Sequence, residues 1–198
     1  MPSLDDLKKR IGSVKSTQKI TKAMKMVAAA KLRRAQESAE SSRPYSDTMN
    51  EVIGSISNKV VSTSSDRNLL TGTGDDQVQL LILFTSERGL CGGFNSSITK
   101  MMREKIEDLH KLNKTVKIIC IGKKGYDILK RKYNDLIIDV IDMKAIKSVS
   151  YQDAKDISQK IIKMYFDNEF DTCSIFYNKF KSVIDQIPTH QKILPIEN

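Results

Sequence analysis

A glycine-rich segment at residues 87–95 follows a run of apolar residues and precedes a stretch with helical periodicity. Phosphate-binding loops lie at such places, because the backbone amides at the start of a helix can hold an anion. The glycine spacing fits neither G-x-G-x-x-G nor G-x-x-x-x-G-K-[ST], and the next apolar run ends at Ile121 and Gly122 without an acidic residue. We therefore interpret the segment as a tight turn in which glycine gives the backbone room, and we expect no cofactor.

The cysteines and histidines offer little further chemistry. Cys91 lies in the glycine-rich segment, where a helix N-terminus could stabilise a thiolate, but the two histidines, His110 and His190, lie far along the chain. Three widely spaced cysteines fit neither a disulfide framework nor a zinc site. Lys123 and Lys124, between two glycines, are typical of a solvated surface turn. We expect no catalytic residue and no metal.

The positive charge of the chain is concentrated near its start. The sequence has 33 Lys and Arg against 24 Asp and Glu, a net charge of +9, yet residues 8–34 contain ten basic residues and no acidic one. Like charges at this density repel one another, so we expect an acidic partner. We call this stretch the cationic segment; its basic residues are Lys8, Lys9, Arg10, Lys15, Lys19, Lys22, Lys25, Lys31, Arg33 and Arg34.

The cationic segment belongs to one long helix, predicted as the first domain over residues 1–60. Ser3 is the predicted N-cap, and Pro44 should kink or loosen the helix without necessarily ending it. At ~1.5 Å per residue, about 55 residues of such a helix extend about 80 Å, too far to be covered by one small domain, so the helix needs a partner helix. Its apolar and small residues recur at coiled-coil spacing, and we call this series the seam: Leu4, Leu7, Ile11, Val14, Ala28, Leu32 and Ala35.

A polar connector is predicted at residues 61–76, and an α/β domain at residues 77–198. Strands are predicted at 78–85, 116–121, 136–141 and 172–180, with an edge strand around 192–194, and helices at 97–114, from 123 to about 132, and 151–168. Alternation of strands and helices predicts an open, mainly parallel, Rossmann-like sheet flanked by helices. No apolar run approaches the roughly 18 residues that a membrane span needs.

The basic helix could bind nucleic acid or an acidic protein surface. Residues 4–43 contain no Phe, Tyr or Trp that could stack on bases, and the seam requires a helical partner. A protein partner is therefore favoured, and a basic-helix nucleic-acid-binding module is the alternative. A dehydrogenase-like enzyme built on the α/β domain is a third possibility, which would show saturable nucleotide binding.

Four motifs in a fixed order resemble the gamma subunit of F-type ATP synthases. They are ITKAMKMVAAAKLRRA at residues 20–35, GLCGGFN at 89–95, IGKKG at 121–125 and YNKFKS at 177–182. The resemblance covers roughly the first two-thirds of that family, whose second long helix would begin beyond residue 196. We therefore expect the chain to be a truncated member.

The resemblance implies a non-catalytic rotor that couples proton-driven rotation to ATP synthesis at the beta subunits and regulates ATPase activity. The implied partners are the alpha, beta and epsilon (or delta-like) subunits and the membrane c-ring, with no nucleic acid. The implied location is peripheral, at the cytoplasmic face of the bacterial inner membrane. By resemblance, the acidic lever loop of beta would face Lys22, Met24, Lys25, Met26 and Lys31. The region of epsilon and the ring would face Leu90, Cys91, Gly92, Gly93 and Phe94.

Overall fold

The computed structural model describes residues 3–57, 68–72, 74–146 and 149–196. The chain divides into two units, Met1–Ile53 and Gly54–Asn198. Much of the predicted connector at residues 61–76 lies outside the described residues. The domain ranges 1–60, 61–76 and 77–198 therefore stay predictions.

Helix α1 spans Leu4–Ser57 and begins at a capping box. The Ser3 hydroxyl accepts a hydrogen bond from the Asp6 amide, and the Asp6 carboxylate accepts one from the Ser3 amide, each 3.3 Å long. The predicted N-cap is thus confirmed. Pro44 lies inside the helix, which continues through it. Among the described residues, no helix is long and apolar enough to cross a lipid bilayer.

The second unit contains one five-stranded sheet with the strand order β3-β2-β1-β4-β5. The strands are β1 (Val78–Phe84), β2 (Thr115–Ile121), β3 (Ile137–Ile141), β4 (Thr172–Phe180) and β5 (Gln186–Leu194). The helices are α2 (Phe94–Lys111), α3 (Lys123–Tyr133) and α4 (Tyr151–Phe166), with a 3₁₀ turn at Asn134–Leu136. The first four strands pair in parallel and β5 pairs antiparallel with β4, which confirms the predicted mainly parallel sheet.

Helices cover both faces of the central strand β1, and this explains its uninterrupted apolar sequence. Leu81 packs on one face with Met102 of α2 and Leu129 of α3. Leu80 packs on the other face with Tyr165 of α4. A strand buried on both faces loses the alternation of polar and apolar residues that a half-exposed strand would show.

Two elements of the second unit differ from their predictions by three or more residues at one end or both, and the others there differ by at most two. Helix α2 begins three residues before the predicted start and ends at Lys111, because Asn113 takes a left-handed conformation with φ of 54°. Strand β5 begins at Gln186, well before the predicted residue 192. It contains Pro188, which an edge strand tolerates because one row of its backbone groups has no neighbouring strand.

Candidate functional site

The cationic segment is exposed over its whole length in α1. Arg33 Nε lies 2.8 Å from Glu37 Oε1, and within the described residues this is the segment's only ion pair. Exposed pairs of this kind contribute little, about 0–1 kcal/mol. The charge of the segment is therefore almost uncompensated within its own unit, which keeps it available for an acidic partner.

The five residues predicted to face the beta lever loop lie on two sides of α1. Side chains three or four residues apart share a helix face, so Lys22, Lys25 and Met26 lie together. Met24 and Lys31, two turns apart, share a different face. Both methionines are exposed, Met24 to 66% and Met26 to 61%. A partner on one side of the helix could not contact all five at once, whereas a partner that surrounds the helix could.

A groove of about 580 Å³ runs along α1 beside Val14, Lys22 and Lys25. Small side chains create it, and their hydroxyls bind the helix's own backbone. Thr17 donates to the Ser13 carbonyl at 3.0 Å and Thr21 donates to the Thr17 carbonyl at 2.9 Å. These hydroxyls need no polar partner, so another helix could approach this face closely.

The large seam residues are exposed. Leu4 is 70% exposed, Val14 67% and Leu32 44%, with Leu7 and Ile11 between these values. A regular series of exposed apolar side chains on one helix marks an interaction surface. The alanines Ala28 and Ala35 continue the series with small side chains.

The glycine-rich turn between β1 and α2 is held by a buried side chain. Asn95 accepts a hydrogen bond from the Ser86 amide at 3.0 Å and donates to the Ser86 hydroxyl at 2.8 Å and to the Cys91 sulfur at 3.1 Å. Gly92 has φ of +58°, so one glycine is needed for its backbone conformation. The interpretation as a tight turn is supported at this position.

The turn residues predicted to face epsilon and the ring differ in exposure. Leu90, Cys91, Gly92 and Gly93 are exposed, and Leu90 projects fully into solvent. Phe94 is half-buried, and its carbonyl accepts a hydrogen bond from the Asn178 side chain of β4 at 3.0 Å. Phe94 therefore also joins the turn to the sheet.

The IGKKG motif at residues 121–125 serves packing. Gly122 has φ of +96°, and a Cβ atom there would overlap the Thr85 carbonyl oxygen. Two of the first amides of α3 already have protein acceptors: Gly125 donates to the Thr85 hydroxyl at 2.8 Å and Lys124 donates to the Ser86 carbonyl at 3.3 Å. An anion would have to displace these contacts. The sequence does not reveal this packing role, because it depends on the contact of Gly122 with Thr85, which follows the neighbouring strand β1.

The three thiols differ in environment. Cys91 is exposed, whereas Cys120 and Cys173 are buried. Burial raises the pKa of both buried thiols to about 12, and the nearby Asp139 carboxylate adds to the effect at Cys120. Within the described ranges, no cluster of His, Cys, Asp and Glu side chains could hold a metal ion.

A long cationic helix with exposed apolar side chains, on a chain that also carries an α/β unit, is the organisation of a subunit of a larger assembly. A family model described as ATP synthase matches residues 3–198. The chain is 55% identical to the ATP synthase gamma chain of Sinorhizobium medicae, over 98% of this chain and 67% of that protein. It is 56% identical to that of Rhizobium johnstonii, over 98% of this chain and 66% of that protein.

The central stalk with c-ring of the Tetrahymena thermophila mitochondrial ATP synthase contains a similar structure, with a TM-score of 0.69 and 28% identity. The match covers 89% of this chain and 72% of that one. The chain belongs to the ATP synthase gamma-chain family, as the four motifs indicated. It spans about two-thirds of the length of these relatives. The comparisons give no support to a nucleic-acid-binding module.

Proposed function

We propose that the chain acts as the central-stalk rotor of an F-type ATP synthase. It couples proton-driven rotation to ATP synthesis at the catalytic beta subunits and regulates ATPase activity, without being catalytic itself. Its partners are the alpha, beta and epsilon (or delta-like) subunits and the c-ring, with no nucleic acid. Its place is peripheral, at the cytoplasmic face of the bacterial inner membrane. The observation that carries the proposal is α1, a 54-residue helix whose cationic segment has, among the described residues, a single ion pair, between Arg33 and Glu37.

A rotor needs a long, stiff element that transmits torque, and contacts with its partners that can break and form again as it turns. At ~1.5 Å per residue, the 54 residues of α1 give a continuous rod about 80 Å long. Exposed ion pairs worth about 0–1 kcal/mol each can form and break in turn without trapping the rotor in one position. Many weak cationic contacts suit this task better than a few strong ones.

The distribution of the predicted beta contacts around α1 supports rotation. Lys22, Lys25 and Met26 lie on one face, and Met24 and Lys31 on another. As the helix turns inside a ring of equivalent subunits, an acidic loop of each subunit would meet these faces in succession. We assign the five residues to contact with the beta lever loop on this basis.

The glycine-rich turn is the proposed contact with epsilon and the ring region. Leu90 is fully exposed at its tip, beside Cys91, Gly92 and Gly93. Phe94 fixes the turn to β4 through its carbonyl. A rigidly held turn with an exposed apolar tip is suited to a fixed contact between rotor subunits, which move together.

The experiment that tests the proposal is Met24→Lys in the assembled ATP synthase. The new ammonium group would share a face with Lys31 and strengthen attraction to an acidic loop, so the rotor would leave each position more slowly. We expect fewer protons pumped per ATP hydrolysed in reconstituted vesicles, with assembly of the complex retained.

The matched control is Tyr151→Lys, which adds the same charge at a 75% exposed position of α4. It should leave the pumping ratio unchanged. If Met24→Lys leaves the ratio at its original value, the assignment of this face to a coupling contact is wrong.

A further inference from the structure

A cleft of about 360 Å³ opens between α2 and α3 in the second unit. We call it the α2–α3 cleft. Four cations and a single carboxylate line it beside Tyr133: Arg103, Lys124, Arg131, Lys132 and Asp127. Neither the cationic segment nor the glycine-rich turn forms part of this lining.

The carboxylates at the cleft are already engaged by lysines. Asp127 lies 2.9 Å from Lys130 and 3.8 Å from Lys124, and Glu107, beside the cleft, lies 2.9 Å from Lys132. The hydrogen bond from Lys130 lowers the pKa of Asp127, and that from Lys132 lowers the pKa of Glu107. Both groups therefore stay ionised and bound to lysines.

The two arginines of the cleft have no such partner among the described residues. Within the part of the chain that the structure describes, no carboxylate forms an ion pair with Arg103 or Arg131. Arg88 in the glycine-rich turn is likewise unpaired, whereas many lysines of this unit do have partners, among them Lys111 with Asp108 and Lys160 with Asp139. The guanidinium groups of Arg103 on α2 and Arg131 on α3 therefore line the same cleft.

Guanidinium groups bind carboxylates through two parallel hydrogen bonds, with a planar geometry that an ammonium group lacks. Two of them on neighbouring helices form a receptor for acidic side chains. We propose that the α2–α3 cleft binds an acidic segment of a partner protein, whose Glu or Asp carboxylates engage Arg103 and Arg131.

The lining favours a peptide over a nucleic acid. Tyr133 is only 5% exposed, so it cannot stack on a base. A nucleic acid carries one phosphate charge after another along its backbone, whereas a peptide can place its carboxylates only where the two arginines lie.

The test uses the full chain and a short photo-cross-linking peptide, Glu-Glu-Bpa-Glu-Glu, in which Bpa is p-benzoylphenylalanine. Mass spectrometry maps the cross-linked residues, so binding at the cleft is separated from binding at the cationic segment. We expect cross-links in α2 and α3. Arg103→Gln with Arg131→Gln should reduce them about tenfold, because both charge-assisted hydrogen bonds are lost.

The matched control is Lys155→Gln with Lys163→Gln, which removes the same charge from exposed positions of α4, on the other face of the sheet. It should leave cleft cross-linking unchanged. Arg103→Lys with Arg131→Lys keeps the charge but loses the paired hydrogen bonds, and cross-linking should fall to an intermediate level.

Any of three cross-linking results would overturn the proposal: cross-links only outside α2 and α3, an equal loss in the α4 control, or no loss in the arginine variants. An oligothymidine of equal charge that displaces the peptide better than unlabelled pentaglutamate would also overturn it, in favour of nucleic acid. Circular dichroism of each variant confirms that the sheet is folded, as expected for substitution of exposed side chains.

Discussion

The two units of this chain differ in how far their apolar side chains are buried. In the second unit, Leu80 and Leu83 of β1 are completely buried. In α1, Leu4 and Met24 are about two-thirds exposed, at 70% and 66%. The second unit thus contains its own hydrophobic core. Helices in proteins gain most of their stability from packing against other elements. We therefore expect α1 to depend on a partner for its stability, whereas the second unit is stabilised by its own core.

Glycine substitutions should show this contrast most strongly. Gly122→Ala places a methyl group against the Thr85 carbonyl oxygen at a φ of +96°. We expect the free energy of unfolding of the second unit to fall by about 4 kcal/mol or more, since both overlap and backbone strain contribute. Urea unfolding followed by tyrosine fluorescence measures this, because α1 contains only Tyr45 of the six tyrosines.

Gly12→Ala is the counterpart in α1. A Cβ atom at Gly12 meets nothing within 4 Å. Alanine should therefore favour the helix by about 1 kcal/mol, seen as a gain in helical circular dichroism. If Gly122→Ala and Gly12→Ala both stabilise, or both destabilise, the structure in which they lie, the contrast between the two units is contradicted.

The rates of amide hydrogen exchange should also differ between the two units, although this effect is smaller than that of the glycine substitutions. We expect the amides of β1 and β2 to open only with global unfolding of their unit, whereas those of α1 exchange through local fraying. Exchange in α1 should be roughly a hundredfold faster in the dilute chain and should slow when the protein concentration allows helices of two copies to pair. Mass spectrometry of peptic fragments measures both.

Protection of α1 as strong as that of β1, in a chain shown to be monomeric by sedimentation, would contradict this prediction. It would mean that α1 is stabilised without a partner.

The sequence predicted the elements whose signal is local. The apolar run at residues 78–85 predicted β1, and the apolar residues at helical spacing near the start of the chain predicted the long helix that α1 forms. Strand β5 was mostly missed, since Pro188 and polar residues remove the alternation, and only its pairing with β4 defines it. The α2–α3 cleft was missed altogether, because Arg103 and Arg131 meet only after two helices pack on the same face of the sheet.

The smallest expected effect concerns the two capping boxes, formed by Ser3 just before α1 and by Ser150 just before α4. The Ser150 hydroxyl donates to the Asp153 carboxylate at 2.6 Å and accepts from the Asp153 amide at 3.3 Å. Ser150→Ala should lower the free energy of unfolding of the second unit by about 1 kcal/mol, the usual value of an N-cap. Ser3→Ala should leave that free energy unchanged and loosen only the first turn of α1.

The effect of Ser150→Ala on the free energy of unfolding should depend on pH, because the cap includes the Asp153 carboxylate. The hydrogen bond from the Ser150 side chain is the largest cause that lowers the pKa of Asp153. A lowered pKa stabilises the fold above the unfolded-state pKa of about 3.9, and this contribution is lost as the pH falls through the folded-state value. The gap between the wild type and Ser150→Ala should therefore be full near neutral pH and shrink in acid. If the gap persists unchanged in acid, the ionised carboxylate is not part of the cap, and the capping boxes of the two units differ only in what their helices pack against.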